Sequence, residues 1–73
     1  MYHYQKIVNG AIVSRFFNHC YNAVCEMRLE IDNHQRNGGT LDNPLKPSIY
    51  RYTGRTASGD SVTWEVIHFT PED

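Results

Sequence analysis

At 73 residues, with a formal net charge of −1, 40% hydrophobic residues and two cysteines, the chain has room for one domain and a thin core. The slightly acidic balance excludes a molecule drawn as a whole to nucleic acid or to an anionic membrane. No basic leader precedes an apolar segment and no apolar run approaches roughly 18 residues, so a soluble, cytoplasmic protein is expected.

Met1 to Val8 reads as a strand, followed by Asn9-Gly10 and a return strand from Ala11 to Arg15. Asn-Gly is the strongest short hairpin signal because both residues accept the positive φ of a type I′ turn. A two-residue turn sets Ile7 opposite Ile12 on one face, with Lys6 opposite Val13 and Tyr4 opposite Arg15 on the other. Neither face alternates cleanly between apolar and polar.

Asn18 to Arg36, closed by Asn37-Gly38-Gly39, is the one stretch long enough for a full amphipathic helix. Asn18 is the expected N-cap and Gly38 the left-handed residue that stops the helix. At about 100° per residue, Cys20, Val24, Met27 and Ile31 share a core stripe with Ala23 at its edge. His19, Asn22, Glu26, Glu30 and Asn33 gather on the solvated side. A second apolar line, Tyr21, Cys25 and Leu29, is turned well away from the first. Either a curved sheet or the following loop covers it, or it forms a contact surface rimmed by Arg28 and Asp32. Cys20 and Cys25 are five residues apart on this helix, about 7.5 Å along its axis and pointing about 140° apart. No intrachain disulfide can bridge them.

Residues 37–47 read as loop, because two glycines, Asp42-Asn43, Pro44 and Pro47 oppose a regular element, with Leu41 and Leu45 as its anchors. Ser48 to Thr56 and Ser61 to Phe69 form a second hairpin across Ala57-Ser58-Gly59-Asp60. The segment from Val62 to Phe69 is the densest in β-branched and aromatic residues and is expected to be central. If the loop holds three residues, Gly54 lies opposite Trp64 and Tyr52 opposite Val66, whereas a loop one residue different exchanges every partner's face. Pro71-Glu72-Asp73 is an acidic end expected to fray.

Chemistry is sparse. His19, Cys20, Cys25 and His34 are competent zinc ligands, but they project in several directions from one helix, whereas structural zinc needs paired ligands on a turn. No metal and no cofactor is expected. Nucleophile elbow, phosphate-binding glycine loop and His-Glu-x-x-His helix are absent, and Glu65 and His68 fall on opposite faces of a strand, so the chain does not read as an enzyme. Tyr50, Arg51, Tyr52, Arg55 and Trp64 are a candidate single-strand nucleic-acid platform, in which rings stack bases and cations neutralise phosphates. The period of two offers the opposite reading, with the rings under the helix and the arginines in water.

The expectation is an α+β domain of order β-β-α-β-β, a small antiparallel sheet or two hairpins packed on one helix. Its leading functional reading is a non-enzymatic protein-interaction module, inhibitory or regulatory, binding another protein or a second copy through Tyr21, Cys25, Arg28, Leu29 and Asp32. The alternative is weak single-stranded nucleic-acid binding by the aromatic and basic hairpin. In size and lone-domain architecture the chain is similar in type to small accessory proteins of bacteriophages and mobile elements. No motif carries that likeness.

Overall fold

A computed structural model describes residues 1–68; Phe69 and the acidic Pro71-Glu72-Asp73 end lie outside the described residues. The elements are β1 (Tyr2–Val8), β2 (Ala11–Phe17), α1 (Cys20–Arg36), β3 (Thr40–Leu41), β4 (Arg51–Arg55) and β5 (Ser61–His68). They form an α+β fold, one antiparallel sheet of order β2-β1-β5-β4-β3 with the helix on one face.

The first hairpin follows from its turn. Asn9 and Gly10 have φ of 49° and 83°, and the ladder runs Ile7 opposite Ile12, Lys6 opposite Val13 and Tyr4 opposite Arg15. Its tip is tied to the body, since Asn9 N–H donates to the Ser61 carbonyl at 3.2 Å and its side-chain amide to Asp60 at 3.0 Å.

The helix begins later than expected. Its N-cap is His19, with an extended backbone and no side-chain cap bond, in place of Asn18. The C-terminus behaves as its sequence indicates. Gly38 takes a φ of 88°, its N–H donates to Gln35, and Gly39 N–H reaches back to His34 at 2.8 Å. Those two bonds are a Schellman closure, satisfying carbonyls that the last turn leaves open.

The span expected to be loop contains a strand. Thr40 and Leu41 pair with Arg55 and Gly54, which adds a fifth strand to the sheet and corrects the β-β-α-β-β order. Prolines begin only at Pro44, so nothing prevents two extended residues before them. Leu41 is half-buried against the core, whereas Leu45 is exposed and does not anchor the loop. The anchor is the Tyr52 hydroxyl, which donates to the Lys46 carbonyl at 2.8 Å and accepts from its N–H at 2.9 Å.

The β4-β5 register also differs by two residues from expectation. Gly54 faces Val62 and Tyr52 faces Trp64, because Thr56 N–H donates to the Asp60 carbonyl and Gly59 N–H to the Thr56 carbonyl. The loop is therefore Ala57-Ser58-Gly59, with Gly59 at a φ of 93°. A shift of two preserves faces, so Tyr52 and Trp64 still share one side of the sheet. β5 is central as expected, joining the two hairpins through β1.

Among the described residues the core is Tyr4, Tyr52, Val62 and Trp64 from the sheet, and Ala23, Met27 and Ile31 from the helix. The Tyr4 hydroxyl donates to the Glu30 carboxylate. Burial first, then that bond and the Glu30 charge, hold the Tyr4 phenol far above its ordinary value. The protonated phenol is the form the fold prefers. Its contribution is complete below about pH 10 and is lost as pH rises beyond that towards the folded value. Tyr4→Phe should flatten this alkaline arm in thermal melts between pH 9 and pH 11, at a cost near neutrality of about 1 kcal/mol for the lost bond. An unchanged alkaline slope would show that Tyr4 does not carry it.

Candidate interaction surfaces

The helix lays Ala23, Met27 and Ile31 on the sheet, so the residues half a turn away form its outer crest. Tyr21 and Leu29 stand there 78% and 60% exposed. No part of the described fold covers them, and neither the sheet nor residues 42–50 closes over the line. Cys25 lies half-buried between them. Its sulfur beside the Tyr21 hydroxyl, first through hydrogen bonding and then through the negative charge of the thiolate form, holds the phenol above its ordinary value. Asp32 shares the crest and pairs with Arg36 at 3.0 Å. Arg28 does not complete the rim. It is half-buried and turns to the loop side, where a guanidinium nitrogen donates to the Lys46 carbonyl at 3.4 Å. The crest thus comprises Tyr21, Cys25, Leu29 and Asp32.

The aromatic and basic hairpin is divided between two faces. Tyr52 and Trp64 are fully buried beneath α1 and present no ring to solvent, which corrects their placement in a stacking platform. Tyr50 remains 45% exposed. Arg51 and Arg55 lie on the opposite face, Arg51 beside Glu65 at 3.7 Å and Arg55 donating to the Gly59 carbonyl at 3.2 Å. Strand alternation separates rings from cations.

His19, Cys20, Cys25 and His34 do not converge, and no group of three potential metal ligands is assembled among the described residues. His34 has a structural contact. Its Nε2 lies 2.9 Å from the Thr40 carbonyl, and its ring meets Trp64 edge-on at 4.7 Å. It joins the end of α1 to β3 and to the core.

Two features went unread in the sequence. An open cleft of about 380 Å³, lined by Lys6, Val8, Glu30, Asn33, His34 and Val62 among others, lies where the end of α1 meets β1 and β5. The larger feature is the sheet face that α1 leaves bare. It carries Ile12 and Phe16 at 62% and 59% exposure and Ile67 at 42%, with His3 stacked on Phe16 at 4.7 Å. Across its middle run Gln5, bonded to Glu65, and Arg51. Apolar residues on both faces of the first hairpin were the available signal. One helix cannot cover both sides of a sheet.

No helix among the described residues is long and apolar enough to cross a membrane. No family model, curated protein or solved structure matches the chain.

Proposed function

We propose that this chain is a non-enzymatic protein-interaction module that binds another protein through the crest of α1. The observation that carries the reading is the exposure of Tyr21 and Leu29 on the helix back, with Asp32 beside them. An aromatic and an aliphatic side chain held rigidly on a helix are the anchors that protein interfaces use, because they bury much area at little entropic cost. A partner offering an apolar groove with a cationic edge fits this line, the carboxylate of Asp32 meeting the cation. Occupying such a groove would make the module an inhibitor or regulator of its target.

Leu29→Asp tests the reading. Leu29 is exposed, so the substitution should leave the circular dichroism spectrum unchanged and stability within about 1 kcal/mol. Proteins captured by the wild-type chain from its own cell's lysate should fall at least tenfold in the variant, as for loss of an interface anchor. Equal capture by both chains, or no capture by the wild type, would count against the crest.

A further inference from the structure

Among the described residues β2 is an edge of the sheet, and its exposure sets it apart from every other strand. Six of its seven residues are exposed, and Ile12, Val13 and Phe16 are each more than half accessible. The opposite edge is blunted in the usual way. β3 is only two residues long, and the chain then turns so that Asp42 N–H donates to Thr53. β2 has no proline, no lysine and no bulge over seven residues. It is also held extended: the turn is tied to Ser61 and Asp60, Phe17 packs on the core, and Arg15 pairs with Glu26 at 3.2 Å. A strand fixed in that way has little entropy left to lose on pairing.

The hairpin geometry determines which backbone groups are free. In a two-residue hairpin the closing pair, here Val8 and Ala11, is hydrogen-bonded, and bonded pairs then alternate along the ladder. Ala11, Val13, Arg15 and Phe17 aim their N–H and C=O at β1. Ile12, Ser14 and Phe16 aim theirs outward. Those three residues are symmetric about Ser14.

We propose that β2 is a self-association strand, and that two copies of this chain pair it antiparallel about a two-fold axis through Ser14. That register is the one that uses all six outward groups. Ser14 bonds Ser14 of the second copy, and Ile12 bonds Phe16 twice over. On the bare face it sets Ile12 against Phe16 of the second copy at both ends, an aromatic and β-branched pair of the kind that stabilises sheets. On the helix side Val13 faces Arg15. The only charge in β2 is that arginine, already held by Glu26 of its own chain, so no unpaired like charges meet across the axis. The partner is therefore a second copy. The interface is isologous and closed, which limits growth to a dimer. The product is one ten-stranded sheet with both helices on the same side, and both crests then face one direction. A target with two sites would be held by avidity.

Sedimentation equilibrium of the full chain over a range of concentrations tests this. The wild type should show reversible association to about 17 kDa, twice the 8.5 kDa chain. Ser14→Pro removes an outward N–H and places a ring on the edge while sparing the bonds to β1; it should weaken association by roughly a hundredfold. Ser14→Lys, a change at an exposed position that does not disturb the hairpin, should weaken it at low salt and recover in high salt as the two ammonium groups are screened. Leu29→Asp should leave the mass unchanged, which separates this strand from the crest. A wild-type monomer at every concentration, a dimer indifferent to Ser14→Lys, or a dimer abolished by Leu29→Asp would each overturn the proposal.

Discussion

Trp64→Ala should cost the domain about 4 kcal/mol, a large fraction of its stability. Trp64 is fully buried at the middle of the central strand, faces Tyr52 on one side and Lys6 on the other, and supports the edge of the His34 ring. Truncating a buried tryptophan removes its transfer free energy and leaves a cavity, about 4 kcal/mol together. A chain of this length has roughly 4–11 kcal/mol of stability in total. The loss is therefore a large fraction of the whole or all of it. The neighbours cannot collapse into the space readily, because Tyr52 is fixed by its hydroxyl at Lys46 and Tyr4 by Glu30. Trp64→Phe makes the comparison informative. Among the described residues the indole N–H is buried without a hydrogen-bond partner, so phenylalanine discards a polar group left unsatisfied there. It should cost less than half as much as alanine. Urea titration followed by circular dichroism measures both. A Trp64→Ala protein within about 1 kcal/mol of wild type would show that the core is not organised around this ring.

How far the sequence could be read depended on whether the deciding interaction was local. The Asn9-Gly10 turn and the Gly38 stop were legible because backbone conformation alone requires those residues. The core stripe Met27 and Ile31 follows from the period of 3.6, and the burial of Tyr52 and Trp64 away from Arg51 and Arg55 is one of the two arrangements that the hairpin's sequence offers. Long-range choices were not legible. That β1 pairs with β5, making one sheet of two hairpins, depends on contacts between residues about 60 apart. β3 has only two residues, too short for any periodic signal, and exists because β4 offers an edge beside Gly54. The β4-β5 register turned on whether the Thr56 N–H meets Asp60, which composition does not specify.

The surfaces divide along the same line. The Tyr21, Cys25 and Leu29 line was visible as a surplus apolar stripe, and exposure depended on how much sheet the helix would meet. Helical spacing alone places Arg28 at its rim. A carbonyl in the 42–50 loop draws it away. The exposed edge strand, β2, carries Ile12 and Phe16 on the bare face and Val13 and Phe17 on the helix side. The sequence marks Ala11 to Arg15 as half of a hairpin, leaves Phe16 and Phe17 outside that strand, and does not mark an edge, since strand order cannot be inferred from a single strand.

Gly54→Ala should cost about 3 kcal/mol, a large effect for one methyl group. The reason is the approach of β3. A Cβ built on Gly54 would lie inside the van der Waals envelope of the Thr40 carbonyl oxygen and 3.1 Å from its carbonyl carbon. Backbone, unlike the end of a side chain, has little freedom to move aside. Two responses are open to the variant. If β3 stays, the strain is spread through β4, and stability falls throughout. If β3 separates, the core survives but Leu41 is uncovered, and the Thr40 carbonyl parts from His34 Nε2. The second route is limited by the Schellman turn at Gly38 and Gly39, which leads directly into Thr40 and allows the strand little slack. Full retention of β3 is thus expected, with a melting temperature lower by roughly 15 °C. Amide exchange distinguishes the routes, since separation would expose the β3 and β4 amides while leaving β1 and β5 protected. Wild-type stability in Gly54→Ala would mean that β3 does not lie against Gly54 as described.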